Sequence, residues 1–307
     1  MRTVPIGASR RASMTARVSG GFVVEGSEDV DDVSRGGMAG DVAFARRALE
    51  KSPSVGYLVA EARAPLEAAA LLPALPLLLR APRGDGHHVV AIPPFGAGDA
   101  FTAVLRRYLA QLGYHVHPWN RSEILALHRL STVALRRMDE IAAEAGAPVS
   151  MIGHSLGGIY AREIARAAPE RVRRVITVGS PFGGDLKSNV VWPLYESVTG
   201  TRINSISPDV LDRMNEPLPV PSTAIYSRTD GVVAWHSCID EDAPKAENVK
   251  VPGSHIGLLH NAATLYVIAD RLAQAPGVHE PFRPPAWLRA FAGVGPWRKP
   301  RDGGAAR

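Results

Sequence analysis

Residues 153 to 157 read Gly153-His154-Ser155-Leu156-Gly157, a serine between two glycines where an apolar run gives way to helical spacing. Pro148-Val149-Ser150-Met151-Ile152 is short and apolar enough for a buried strand, and Gly158-Ile159-Tyr160-Ala161-Arg162-Glu163-Ile164-Ala165 repeats its apolar residues at the helical period. A chain that leaves a strand and enters a helix this abruptly makes a turn so tight that positions two before and two after its apex hardly tolerate a side chain. Gly153 and Gly157 meet that demand. Ser155 then occupies a nucleophile elbow, its hydroxyl pushed out over the C-terminal edge of a sheet, beside a helix N-terminus that favours negative charge. A serine that merely caps the helix beginning at Leu156 fits the same five residues.

A serine hydroxyl is a poor nucleophile at neutral pH and needs a base within hydrogen-bond reach, itself oriented by a third group. Pro221 to Ser227 reads as a strand ended by the turn Arg228-Thr229-Asp230-Gly231, which makes Asp230 the candidate acid. Glu247 to Val251 reads as the next strand, followed by Pro252-Gly253-Ser254-His255 in a turn and a helix from about Asn261 to Gln274, which makes His255 the candidate base. An aspartate before glycine is also an ordinary solvated turn residue. Asp240, Glu241 and Asp242 are rival acids in what reads as a charged loop tip, and His236 and His260 are rival bases, His260 having the position of a packing or capping residue. His154 is expected to point away from the hydroxyl and to serve structure.

The alternation of strand and helix continues on both sides of the elbow. Strands are predicted at His88 to Ile92, Tyr114 to His117 and Val172 to Val178, and helices near Thr102 to Gln111 and Leu130 to Glu144. Such a rhythm specifies an α/β chain with a doubly wound, mostly parallel sheet. The stretch from Asp185 to Pro219 breaks the rhythm between two core strands and carries Trp192, Leu194, Tyr195 and Val198, reading either as a small cap insertion over the site or as a surface excursion.

Four ordered segments carry a resemblance: Gly153-His154-Ser155-Leu156-Gly157-Gly158, Gly179-Ser180-Pro181-Phe182-Gly183, Tyr226-Ser227-Arg228-Thr229-Asp230-Gly231 and Gly253-Ser254-His255-Ile256-Gly257-Leu258. Together they resemble the serine α/β-hydrolase superfamily, chiefly its bacterial lipase- and esterase-like members, over about residues 86 to 275. The resemblance implies the α/β-hydrolase fold, with Ser155, Asp230 and His255 in the chain order serine, acid, histidine. It also implies an oxyanion hole made by the N–H of Leu156 and that of Phe95, in the loop after the strand His88 to Ile92. Pro94 stands where glycine is usual, although the donor required lies one residue later, and His117-Pro118-Trp119-Asn120-Arg121 replaces an expected glycine-rich loop. The implied activity is hydrolysis of carboxylic esters, lipid-like ones included, through an acyl-serine. An acyltransferase using the same intermediate and a non-catalytic binding protein of this fold are the alternatives.

Around this domain, residues 1–40 are rich in Arg, Ser and Gly with little periodicity and read as disordered, with Met14 or Met38 as alternative starts. Residues 41–85 read as a helical segment, and 276–307 as a Pro- and Arg-rich tail that wraps the domain, touches anionic lipid or stays loose. Leu66 to Leu79 is apolar but short and interrupted by Pro73 and Pro76, so it reads as one or two helices packed on the domain, with peripheral membrane contact the lesser reading. A net charge of +5 without a nucleic-acid motif reads as a solvated arginine-rich surface and argues against a nucleic-acid partner. The single cysteine, Cys238, excludes an intrachain disulfide and fits a cytoplasmic location. No metal-ligand spacing and no dinucleotide fingerprint occurs, so neither cofactor nor metal is implied, and the expected partner is a small-molecule or lipid-like ester. Oligomeric state is not legible.

Overall fold

In a computed structural model of the protein, residues 53–120, 130–183, 196, 213–240 and 244–296 are described; all fall within one compact unit, Ala45–Arg307. The apolar runs form a sheet of strands β1 (His88–Ile92), β2 (His115–Pro118), β3 (Val149–His154), β4 (Val172–Val178), β5 (Ser222–Tyr226), β6 (Ala246–Lys250) and β7 (Gly295–Pro296). Their order is β2-β1-β3-β4-β5-β6-β7, parallel throughout except for the last pair. The intervening helices are α1 (Val55–Ala60), α2 (Ala64–Ala69), α3 (Leu71–Leu78), α4 (Ala103–Gln111), α5 (Leu130–Ala145), α6 (Leu156–Ala167), α7 (Ala262–Leu272) and α8 (Ala286–Ala292).

Strands covered on both faces must be apolar on both, and the side chains of β1, β3 and β4 divide accordingly. Val89, Ala91, Ile152, Ile176 and Val178 join Leu105 and Leu109 of α4 and Ile268 and Leu272 of α7 in one buried cluster. Val90, Ile92, Val149, Met151 and Val175 face the other way, onto Met138 and Ile141 of α5 and Ile159 and Ile164 of α6. This is a doubly wound sheet, and its strand order with a serine turn after β3 defines the α/β-hydrolase fold.

Two readings of charged residues are corrected. The arginines do not form only a solvated surface: Arg162, Arg174 and Arg271 are buried, and the Nη groups of each donate to carboxylates or carbonyls. Asp240 is not on a charged loop tip either. It is buried, with Oδ2 accepting from Arg162 Nη1 at 2.6 Å, and is braced by Ser222 and Asn248. Glu241 and Asp242 lie outside the described residues.

At the chain's far end, α8 and β7 complete the domain. Gly295 and Pro296 pair antiparallel with Lys250 and Val249, while Phe282, Leu288 and Val294 enter the core. The apolar stretch from Leu66 becomes α2 and α3, burying Leu78 and leaving Leu66 and Leu72 exposed. No helix among the described residues is long and apolar enough to cross a membrane. Residues 1–40 and all of the proposed cap except Glu196 and residues 213–219 lie outside the described residues.

Candidate active site

The tips of four adjacent parallel strands converge on one edge, and backbone hydrogen bonds run from each tip to the next. Ser155 N–H donates to the Val178 carbonyl at 2.9 Å, Gly179 N–H to that of Ile225 at 2.9 Å, and Val251 N–H to that of Tyr226 at 2.9 Å. Ser155 follows β3 directly, Asp230 follows β5, and His255 follows β6, so three segments distant in the chain meet at the C-terminal edge of the sheet.

Ser155 has φ 54° and ψ −123°, a conformation that costs a residue with a Cβ about 1 to 3 kcal/mol. The glycines around it are required by close approach. A Cβ on Gly153 would lie 2.3 Å from the Gly157 carbonyl oxygen, and one on Gly157 would lie 2.5 Å from that of Pro93. The second contact seats the start of α6 against the loop leaving β1, which carries Phe95. That loop is fixed at its far end by Asp99, whose carboxylate accepts the N–H groups of Trp119 at 2.8 Å and Asn120 at 2.9 Å. The segment that departs from a glycine-rich loop thus contributes a buried indole, Trp119, and two donors that hold the Phe95 loop in place. Leu156, first residue of α6, has an N–H without an intrahelical acceptor, as helix geometry requires.

Asp230 and His255 are both buried and directly joined, His255 Nδ1 donating to Asp230 Oδ2 at 2.7 Å. Because a carboxylate only accepts, Nδ1 carries the hydrogen, and in the neutral ring Nε2 keeps its lone pair. Asp230 Oδ1 accepts from Val232 N–H at 2.9 Å and Val233 N–H at 2.7 Å, which fixes the carboxylate plane. Burial lowers the His255 pKa, but the charge and hydrogen bond of Asp230, with the charge of Glu61, outweigh it and set the ring above the ordinary histidine value. Gly179 is the floor between them: a Cβ there would lie 3.2 Å from His255 Nδ1 and 3.4 Å from Asp230 Oδ2.

His154 packs its ring against that of His255, with centroids 4.8 Å apart, and its Nε2 donates to the His255 carbonyl at 3.0 Å. Phe101 stacks on His154 with centroids 5.4 Å apart, and His260 meets Phe101 in a T-shaped contact. The rivals to the triad candidates are thereby placed elsewhere: Asp240 with Arg162, His260 against Phe101, and His236 stacked on Trp235.

The sequence reading passed over Glu61 and Glu67, which approach the acid and histidine loops from the N-terminal segment. Glu61 Oε1 accepts from Gly231 N–H and His255 N–H, both at 2.8 Å, and Oε2 accepts from Ile256 N–H at 3.0 Å. Glu67 accepts from the Ser254 N–H and hydroxyl. The available signal was the spacing Glu61-Ala62-Arg63-Ala64-Pro65-Leu66-Glu67, three charges in an otherwise apolar helical stretch.

Among the described residues one group could hold a metal ion. His88, His117 and Glu144 offer ligand atoms within 4.8 Å of one another, two of them already joined by a 2.8 Å hydrogen bond between His88 Nδ1 and His117 Nε2. They come from β1, β2 and α5, a spatial rather than sequential grouping that no spacing pattern would reveal.

No family model matches the chain, and no curated protein does. Among solved structures it is similar to lipase B of Aspergillus fumigatus, at 18% identity and TM-score 0.47 over 63% of this chain, which spans about half (54%) of the length of that protein. It is also similar to an α/β superfamily hydrolase of Oenococcus oeni PSU-1, at 14% identity and TM-score 0.45 over 61% of this chain and 92% of that one. A third, the monoacylglycerol lipase of Paleococcus ferrophilus, shows 15% identity and TM-score 0.45 over 62% and 96% of the two chains. At these values the assignment of the fold rests on the chain's own strand order and serine turn.

Proposed function

We propose that the protein is a serine hydrolase of carboxylic esters, lipid-like ones among them. The observation that carries this reading is the buried 2.7 Å pair of His255 Nδ1 and Asp230 Oδ2, set at the same sheet edge as the strained turn of Ser155. A hydrogen-bonded imidazole with its other nitrogen unprotonated is what an unactivated serine lacks.

In the reaction, Ser155 Oγ attacks the ester carbonyl carbon while His255 Nε2 takes the hydroxyl proton. Asp230 holds the ring and stabilises the imidazolium that forms. The carbonyl oxygen becomes an oxyanion, for which the N–H groups of Phe95 and Leu156 are the proposed donors, each worth about 3 to 4 kcal/mol in comparable sites. Collapse breaks the C–O bond, and the alcohol leaves with the proton from His255. Water, deprotonated by the same Nε2, then attacks the acyl-serine and releases the acid, returning the proton to Ser155.

Labelling with a fluorophosphonate tests this without a known substrate. Wild-type protein should gain one phosphonyl group on Ser155, located by peptide mass, and the Ser155→Ala variant none. A folded wild type that takes no label, or a variant labelled equally, would overturn the reading.

A further inference from the structure

Glu61 lies in a single turn between α1 and α2, far from the elbow in sequence, yet its side chain is buried. A buried carboxylate is costly unless each lone pair is used, and here three backbone donors converge on it: Gly231 N–H beside the acid, His255 N–H itself, and Ile256 N–H beyond it. The two loops it joins touch each other through Ser227 Oγ and the Gly253 carbonyl at 2.6 Å. Two residues on, Arg63 donates to the Thr229 carbonyl and hydroxyl, both at 2.9 Å, and to Glu67, which in turn holds Ser254. Close approach is built in on the other side: a Cβ on Gly231 would lie 2.3 Å from the Tyr57 carbonyl oxygen.

We propose that Glu61 is a positioning residue for the Asp230–His255 pair, one carboxylate gripping the backbone of both loops so that acid and base face each other at hydrogen-bond distance. The proposal rests on the reading of Ser155, Asp230 and His255 as a hydrolytic triad. Glu61 touches no reacting atom and acts through His255.

Its charge reaches the imidazole as well, adding to that of Asp230 in raising the His255 pKa. The groups facing His255 are Asp230 from the loop after β5, Glu61 from the N-terminal segment and the neutral His154 from the end of β3. Glu67 stands one residue away on Ser254, balanced by Arg63, and Cys238 lies near Asp230. Since the base must be deprotonated to act, removing a negative charge beside it moves the acidic limb of the activity profile to lower pH.

Glu61→Gln removes the charge and turns an amide NH2 toward at least one backbone N–H, whereas Glu61→Asp keeps the charge and shortens the reach. In the full-length protein, the fluorophosphonate reaction of Ser155 followed against pH should show two effects in Glu61→Gln: an acid midpoint shifted to lower pH, and a plateau rate reduced roughly 10- to 100-fold by misplacement of the base. Glu61→Asp should lower the plateau while keeping the wild-type midpoint. An NMR titration of the His255 ring should give the same shift in Glu61→Gln independently of any reaction.

A folded Glu61→Gln protein whose His255 titrates as in the wild type would overturn the proposal and leave Glu61 a packing residue. If Glu61→Gln does not fold, an unchanged plateau in Glu61→Asp would do so. Should the wild type itself fail to label, the hydrolase reading falls, and the NMR titration still decides the role of Glu61.

Discussion

His154 and His255 are held with their rings tilted against each other, 4.8 Å between ring centroids, and the first donates from Nε2 to the backbone carbonyl of the second at 3.0 Å. Two cationic imidazoles could not share that space. Burial, then the adjacent His255, keep His154 well below the ordinary histidine pKa, so it is the neutral member of the pair near pH 7. Its Nδ1 has no partner among the described residues and, in the Nε2–H tautomer, carries a lone pair and no hydrogen.

The first prediction is an acid sensitivity located at this ring. A histidine whose pKa is lowered by folding contributes stability that is complete above its unfolded value of about 6.5 and is lost as pH falls toward the folded value, with a slope of up to about 1.4 kcal/mol per pH unit. The raised His255 has the opposite sign, its contribution being present below that value and lost as pH rises through the folded pKa. His154→Gln keeps a donor for the carbonyl and does not titrate. Thermal unfolding between about pH 7 and pH 5 should therefore fall less steeply in the variant than in the wild type, and parallel slopes would contradict it.

Ser155, the proposed nucleophile, sits in a strained turn. Glycine relieves its positive φ, whereas alanine does not. Ser155→Gly should be more stable than Ser155→Ala by about 1 kcal/mol in chemical denaturation, with labelling lost in both. Equal stabilities would mean that the turn stores no strain.

A third prediction concerns Arg162 and Asp240, both buried and joined at 2.6 Å. Removing one charge strands the other, at a cost of about 3 to 5 kcal/mol. Asp240→Asn should be destabilised by that amount, and adding Arg162→Met should recover part of it. A double variant no better than the single one would place the energy in the neighbouring Ser222 and Asn248 contacts instead.

The central strands were legible from short runs rich in apolar and β-branched residues, which leave few alternatives; His88–Ile92 and Val172–Val178 have the predicted boundaries. The placement of Ser155, Asp230 and His255 at the strand tips was legible for the same reason, since each follows a strand within a few residues. What could not be read was partnership between distant side chains. Asp240 looks like its neighbours Glu241 and Asp242 until the fold lays Arg162 beside it. Glu61 carries no local sign that its acceptors will be taken by backbone groups rather than side chains, because every residue supplies an N–H. The tail beyond residue 280 was unreadable on other grounds: β7 is two residues long, too short for any period.

Glu61 reaches Gly231 across 170 residues and His255 across 194. Closing such spans comes late in folding, after local helices and neighbouring strands have formed. On a ribosome, the carboxylate emerges long before the loops it joins exist. The elbow after β3 can be complete while His255, the proposed base, has not yet been translated. With the proposed clamp at the start of the domain and its targets near the end, chemical competence would be tied to completion of the domain, and a half-folded copy would carry the elbow serine without its proposed base.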